Sequence, residues 1–160
     1  MKSAYIFDID GTIADCSHRL HHIKPPFGLA HYEPGETDWK PDWDTFYSLC
    51  VNDKPIDNVC HLLRVLSRDF EIIFITGRSE KFRNHTTEWI KRQLGSFAEY
   101  HLFMRADGDH RPDYMIKKEI YDEHIKDKFN VLGVFEDRDQ VVQMWRRWGL
   151  TCYQVADGAY

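Results

Sequence analysis

The sequence of 160 residues has little of several features that define other classes of protein. Its cysteines are few and scattered, at Cys16, Cys50, Cys60 and Cys152, and no two of them form a CxxC pair. We expect reduced thiols, because this scatter fits neither a zinc site nor the disulfide framework of a secreted domain. The longest apolar runs, such as Ile72–Ile75, are too short to cross a bilayer. With no signal-peptide pattern at the start of the chain, we expect a cytoplasmic protein without membrane association.

The sequence also lacks a net excess of basic charge and a P-loop motif. The net charge of −5 argues against a broad basic surface of the kind that grips duplex DNA non-specifically. It leaves room for a local basic groove. Neither GxxxxGKS nor GxxxxGKT occurs, so we expect no P-loop kinase activity from this chain.

Runs typical of buried strands alternate with stretches that have helical spacing of apolar residues. The predicted strands are Ala4–Asp8, Glu71–Thr76, Tyr100–Met104, Val131–Phe135 and Cys152–Val155, and the predicted helices cover residues 59–66, 82–94, 113–126 and 141–148. This alternation predicts βαβ units and one α/β domain over residues 1–160, a doubly wound parallel sheet with helices on both faces. In such folds ligands bind beyond the carboxyl ends of the strands.

One long segment, residues 18–55, interrupts the alternation and is called the cap segment below. It is rich in proline, tryptophan and histidine, and it is too long for an ordinary connection between a strand and a helix. Its aromatic residues Trp39, Trp43, Phe46 and Tyr47 predict ordered packing. We interpret the segment as a small cap over the site. Its aromatic rings form either the cap's own core, which we favour, or a surface on which a base stacks.

The strongest chemical signal is the sequence DIDGT at the end of the first predicted strand, from Asp8 to Thr12. A turn that begins at Asp10 and continues through Gly11 lets both carboxylates reach one site. Such a pair can hold a cation or divide nucleophile and acid roles. The alternative is a strand that simply ends in a polar turn.

Three further polar groups follow later strands or helices. Thr76, Gly77 and Arg78 close the second predicted strand and offer the hydroxyl and guanidinium donors that phosphate recognition needs. Lys117 lies in a predicted helix, and the pair Glu136–Asp137 closes the fourth strand. Each has a structural explanation, as a helix cap or a solvated lysine. These separate explanations do not account for the coincidence that an acid pair, a hydroxyl, a lysine and a second acid pair follow one another in this order at successive strand or helix edges.

These motifs resemble those of the haloacid dehalogenase (HAD) phosphohydrolase superfamily. A closer likeness is to the 3′-phosphatase domain of phage polynucleotide kinase-phosphatase, carried by residues 7–14 (FDIDGTIA), 76–78, 117–120 and the tail 136–160. Two features depart from it: Glu136 replaces an aspartate, and the cap segment is longer and more aromatic. The resemblance implies the HAD-like Rossmannoid sandwich as the fold.

The resemblance also implies a mechanism. Asp8 would attack phosphorus, while Asp10 would protonate the leaving oxygen and then deprotonate the hydrolytic water. Mg²⁺ would be bound by Asp8, the Asp10 backbone carbonyl and Asp137, with Glu136 acting through a water. The catalytic set would be completed by Thr76 and Lys117, which hold the phosphoryl oxygens.

Substrate contacts are implied for the turn residues Gly11 and Thr12, for Gly77, and for the basic residues Arg19 and Arg78. The expected substrate is a 3′-phosphorylated nucleic-acid end or a nucleotide, with a separate kinase or ligase as a possible partner. A 5′-nucleotidase and a small-metabolite phosphatase are the alternatives within the enzyme class. A phosphoacceptor receiver domain fits less well, because its central strand ends in aspartate and this one ends in Thr76.

Overall fold

The computed structural model describes residues 1–25, 38–95 and 99–158. The strands are β1 (Lys2–Phe7), β2 (Ala14–Asp15), β3 (Lys54–Pro55), β4 (Glu71–Ser79), β5 (Tyr100–Arg105), β6 (Phe129–Glu136) and β7 (Cys152–Gln154). The helices are α1 (Trp43–Ser48), α2 (Asp57–Leu66), α3 (Arg83–Leu94), α4 (Asp113–Ile120) and α5 (Asp139–Arg147). Short 3₁₀ turns cover Ser17–His22, Leu49–Asn52 and Glu80–Phe82, and a π-helical turn covers Tyr121–Ile125.

The main sheet has the strand order β5-β4-β1-β6-β7, and each neighbouring pair is parallel. This is the doubly wound α/β fold that the sequence predicts. The strand β1 lies at the centre, between β4 and β6, so its carboxyl end opens at the middle of the sheet edge. The residues that follow β1, β4 and β6 therefore converge on one place.

Alternation along β1 sends neighbouring side chains into two separate apolar cores. Phe7 faces the core beneath α2 and α3, where Trp89 is fully buried, while Ile6 faces the core beneath α5, where Trp145 is buried. Truncating a tryptophan in such a core costs about 3–5 kcal/mol. The two cores hold the sheet rigid and fix the position of its carboxyl edge.

Two predicted elements differ from the structure by more than two residues at one end. The sequence predicts that Gly77 ends the second strand, but β4 continues through it to Ser79, with irregular register against β5 between Thr76 and Ser79. The Gly77 carbonyl accepts side-chain hydrogen bonds in this irregular stretch. The helix predicted over residues 113–126 is α4 followed by the π-helical turn.

The described part of the cap segment packs as a small unit around α1. The Asp42 side chain accepts a hydrogen bond from Thr45 N at 3.0 Å and so caps that helix. The rings of Trp43, Phe46 and Tyr47 contact one another, with centroids 5.4 to 5.9 Å apart. Residues 26–37 of the cap segment, which include Pro26 and Pro34, lie outside the described residues.

The cysteines and the membrane prediction are also addressed by the structure. All four cysteines are buried and free. Among the described residues, no helix has the length and apolarity needed to cross a membrane.

Candidate active site

The loop after β1 brings two carboxylates to one cavity. The backbone N–H of Asp8 donates to the Phe135 carbonyl at 3.0 Å, which extends the sheet by one residue. The chain then reverses, because the N–H groups of Ile13 and Ala14 both donate to the carbonyl of the buried Ile9. As a result the side chains of Asp8 and Asp10 line the same cavity, as the DIDGT sequence predicts.

A buried cluster of carboxylates surrounds a single ammonium group. Lys117 Nζ lies 2.7 Å from Asp8 Oδ1, 2.7 Å from Glu136 Oε2 and 3.3 Å from Asp113 Oδ2. Carboxylate oxygens of Asp8, Glu136 and Asp137 come within 4.8 Å of one another. All of these residues but Asp113 are buried, and the Asp113 side chain is 9% exposed. The cluster therefore holds several acids that one lysine cannot neutralise.

This excess of negative charge, together with burial, shifts the pKa values of Asp8, Glu136 and Lys117. Burial and the neighbouring Glu136 carboxylate raise the pKa of Asp8 well above its usual range, although Lys117 opposes them. Burial likewise raises the pKa of Glu136 to about 7. Burial alone would lower the pKa of Lys117, but the surrounding carboxylates outweigh it and raise that pKa.

The donor set of this cluster fits a small divalent cation. Oxygen ligands with excess negative charge are what Mg²⁺ prefers, and a cation would neutralise the charge that Lys117 leaves. Thr12 Oγ1 lies 3.3 Å from both Asp8 Oδ2 and Asp137 Oδ1, so it helps to orient the two acids. The sequence predicts that Thr12 contacts substrate. In the structure its hydroxyl lies within hydrogen-bond distance of the Asp8 and Asp137 carboxylates.

Two arginines lie between Asp10 and a second acid, Asp53. Arg78 donates to Asp10 from Nε at 3.0 Å and from Nη2 at 2.6 Å, and Arg19 also pairs with Asp10. On the other side, Arg19 donates to Asp53 at 2.7 and 2.6 Å, and Arg78 donates to it at 3.0 Å. Both guanidinium groups are completely buried. Arg19 is therefore not a surface residue of the cap.

The arginine pair sets the charge of Asp10. Burial alone would raise the pKa of Asp10, but Arg78 and Arg19 outweigh it and lower that pKa to about 2. Asp10 is therefore ionised at neutral pH in the free protein. Its carboxylate keeps 21% of its surface exposed, toward the cavity.

Asp53 is a site residue that the sequence prediction missed. It is 2% exposed, and besides the two arginines it contacts His18 Nε2 at 2.9 Å. Its carbonyl accepts a hydrogen bond from the indole of the buried Trp89 at 2.8 Å. Nothing in the local sequence distinguishes Asp53 from an ordinary turn aspartate, since its arginine partners lie 34 and 25 residues away.

The segment after Thr76 forms the wall opposite the acids. Thr76 Oγ1 accepts a hydrogen bond from Arg78 N at 3.2 Å, and the Gly77 carbonyl accepts from Tyr47 Oη at 3.0 Å and from Arg105 Nε at 2.9 Å. A Cβ atom on Gly77 would lie 2.5 Å from an Asp113 carboxylate oxygen. A larger residue at position 77 would therefore displace the Asp113 carboxylate from Arg105 and Lys117.

The cavity between these walls has a volume of about 140 Å³. Of the predicted site residues, Asp8, Asp10, Thr76 and Gly77 line it. The others, Gly11, Thr12, Arg19, Arg78, Lys117, Glu136 and Asp137, lie in the surrounding shell or in the turn behind it.

The cavity also has lining residues that the sequence prediction did not assign to it. They include Asp113, Arg105, Arg138 and the aromatic pair Trp43 and Tyr47. Asp113 was detectable, because it precedes Lys117 by four residues on the same face of α4. The Nη1 atom of Arg138 lies 3.7 Å from Asp113 Oδ2.

Comparison with known proteins gives a consistent match. The family model described as the polynucleotide kinase PNKP phosphatase domain matches residues 42–160. A putative bifunctional polynucleotide kinase/RNA ligase from Autographa californica nuclear polyhedrosis virus is 38% identical over 78 residues, which are 49% of this chain and 11% of that protein.

Solved structures extend this match to the whole chain. A chain of the Pnkp1/Rnl/Hen1 RNA repair complex superposes with a TM-score of 0.76 at 27% identity, over 100% of this chain and 44% of that one. A haloacid dehalogenase-like hydrolase from Streptococcus pneumoniae shares the fold, with a TM-score of 0.60 at 15% identity over 96% of this chain and 84% of that one. This chain thus spans less than half the length of the polynucleotide kinase relatives.

Proposed function

The chain belongs to the family of polynucleotide kinase PNKP phosphatase domains, and from that premise we propose that it removes phosphate from the 3′ ends of nucleic acids, with Asp8 as the nucleophile and Mg²⁺ as the cofactor. Its membership makes it a HAD-type phosphomonoester hydrolase. The observation that carries the proposal is the position of Asp8. It lies at the cavity wall, with Lys117 on one side and Asp10 on the same cavity surface.

The residues divide the proposed chemistry into two half-reactions. In the first, an Asp8 carboxylate oxygen bonds to phosphorus, the bond from phosphorus to the ester oxygen breaks, and Asp10 supplies the proton that the leaving oxygen takes. In the second, Asp10 accepts a proton from water as that water attacks the phosphorylated Asp8, which returns the carboxylate and releases inorganic phosphate. Lys117 and Thr76 hold the phosphoryl oxygens during both steps.

The low pKa of Asp10 places a condition on this mechanism. Arg19 and Arg78 keep the carboxylate ionised in the free protein, which suits the base of the second step. A phosphate dianion entering the cavity raises the pKa of Asp10, because it adds negative charge beside this carboxylate, and Asp10 then takes up from solvent the proton that it gives to the leaving oxygen. Substrate binding thereby prepares Asp10 for its acid role.

The proposed metal site consists of carboxylates whose negative charge exceeds the single positive charge of Lys117. Asp8, Asp137 and the Asp10 carbonyl would hold Mg²⁺, with Glu136 binding through a water. When bound, the cation cancels the repulsion between the carboxylate nucleophile and the substrate phosphate.

The substrate and partners are proposed from the relatives. The viral relative is described as a polynucleotide kinase/RNA ligase, and the structural relative belongs to an RNA repair complex. This chain has no P-loop sequence of its own. We therefore propose that it acts on ends that a kinase and a ligase then process, whether these are separate proteins or other parts of a longer chain.

The test compares phosphate release from a 3′-phosphorylated RNA oligonucleotide, its DNA equivalent, and free 3′- and 5′-mononucleotides. Each is assayed with Mg²⁺ and with a chelator, and Asp8→Asn is the control. We expect the oligonucleotides to be hydrolysed best, with activity lost in the chelator and in Asp8→Asn. Faster hydrolysis of the 5′-mononucleotide would make the protein a nucleotidase. Full activity in Asp8→Asn would contradict the mechanism.

A further inference from the structure

Trp43 is an exposed aromatic residue at the mouth of the active-site cavity. It is 44% exposed, although Phe46 beside it and Asp8 and Thr76 on the same cavity are buried. It lines the cavity that contains Asp8 and Asp10. It also lines a neighbouring cavity of about 300 Å³, which shares Arg105 with the first. The indole therefore stands at the junction of the two spaces.

The indole is held by a rigid support. Its ring is stacked on Tyr47, with centroids 5.8 Å apart and planes at 27°, and it meets Phe46 edge-on at 5.9 Å. The Tyr47 hydroxyl is fixed in turn to the Gly77 carbonyl at 3.0 Å. Gly77 directly follows Thr76, so a chain of contacts links the indole to the wall of the phosphate site.

The lining of the second cavity has no excess of basic residues. Its basic side chains are Arg105, Arg111, Arg138 and His110, and its acidic side chains are Asp44, Asp107, Asp109 and Asp113. Arg111 is already paired with Asp109 at 2.7 Å and with Glu119 at 2.7 Å. A strand running across this surface gains little from its phosphates. Recognition must then come from the apolar face at the junction.

We propose that Trp43 is the stacking surface for the base of the nucleotide that carries the scissile phosphate. This inference rests on the proposed function and adds to it the group that distinguishes a nucleotide from other phosphomonoesters. A base is planar, and stacking on an aromatic side chain tolerates any base, which suits an enzyme that acts on ends of any sequence. It also makes the KM only weakly dependent on salt, since few phosphates are contacted.

The experiment is a double-mutant cycle between the indole and the base. The substrates are one 3′-phosphorylated oligonucleotide and the same oligonucleotide with an abasic terminal nucleotide, and the proteins are the parent and Trp43→Ala. In the parent we expect loss of the base to lower kcat/KM about tenfold. In Trp43→Ala we expect the two substrates to differ by less than about twofold, because the stacking partner is already gone.

Two further variants separate aromatic stacking from a general loss of apolar surface. Trp43→Leu keeps an apolar side chain over Tyr47 without an aromatic face, and it should lose the base dependence as Trp43→Ala does. Trp148→Ala removes a more exposed tryptophan, 59% exposed and packed against Lys118, and should keep the parent's base dependence.

The outcomes distinguish this inference from the proposed function. An equal penalty for the abasic end in the parent and in both Trp43 variants overturns it, and so does a parent with no penalty. In either case hydrolysis of the oligonucleotide still stands. If the parent hydrolyses no 3′-phosphorylated oligonucleotide, the proposed function fails first and this inference fails with it.

Discussion

Replacing Asp53 with alanine should destabilise the protein more than any exposed acid does. The substitution removes the carboxylate that accepts hydrogen bonds from Arg19 at 2.7 and 2.6 Å and from Arg78 at 3.0 Å. Both guanidinium groups are fully buried, and water cannot replace the lost partner. Two adjacent cations would then share the single remaining carboxylate of Asp10.

The magnitude follows from the burial of the pair. Removing one partner of a buried ion pair costs about 3–5 kcal/mol. Because Asp10 still pairs with both arginines, we expect the lower end of that range, about 3 kcal/mol. For a domain of this size that corresponds to a melting temperature lower by roughly 6–12 °C.

The assay is urea and thermal unfolding of the parent, Asp53→Ala, Asp53→Asn and a matched control, Asp44→Ala. Asp44 is 70% exposed and forms only a surface pair with Lys81, so its loss should cost less than about 1 kcal/mol. Asp53→Asn keeps an oxygen acceptor for the arginines and should fall between the two. Phosphatase activity should also fall in Asp53→Ala, measured well below its melting temperature, because the arginines no longer hold Asp10 in place.

A small effect would refute this reasoning. If Asp53→Ala unfolds within about 1 kcal/mol of the parent, the arginines do not depend on Asp53, and the assignment of this residue to the site is wrong. Equal losses in Asp53→Ala and Asp44→Ala would lead to the same conclusion.

Three other substitutions test separate contacts. Gly77→Ala places a Cβ 2.5 Å from an Asp113 oxygen, so it should cost about 1–3 kcal/mol and reduce activity, which unfolding and phosphate release measure. Burial raises the pKa of Tyr47 to about 12, so the folded protein retains a proton that the unfolded chain loses above pH about 10. Parent stability should therefore fall by up to about 2 kcal/mol between pH about 10 and 12, and urea titrations of Tyr47→Phe should lack that component. Lys117→Met removes the ammonium partner of the buried Asp8 and Glu136, which costs about 3 kcal/mol in chelator, and added Mg²⁺ should raise its melting temperature more than that of the parent. Equal Mg²⁺ shifts would argue against a cation at this cluster.

Much of the fold was predictable because its signals are local. The strand before Asp8 and the helix that contains Trp89 both show their period in the sequence. The end of β4 was not predictable, because a glycine such as Gly77 usually indicates the end of a strand. Its carbonyl accepts hydrogen bonds from the side chains of Tyr47 and Arg105, which the local sequence does not reveal. Those partners come from other parts of the chain.

The parts of the site that could be predicted are those formed by residues adjacent in the sequence. The turn from Asp8 to Asp10 follows from five consecutive residues, and the structure places both carboxylates on one cavity. Asp53 was not predictable, since its role exists only once Arg19 and Arg78 are brought together. Pairwise charge balance in a buried site is a property of the tertiary structure.

The bridge of two arginines between Asp10 and Asp53 also constrains how this protein evolves. Losing either acid leaves two cations sharing one partner, and losing either arginine leaves the acids short of positive charge. A substitution of any one of these four residues alone is therefore expected to be unfavourable, and an acid and an arginine are expected to be substituted together. Across an alignment of relatives, positions 10, 19, 53 and 78 should therefore covary as one unit, although the chain separates them by up to 68 residues.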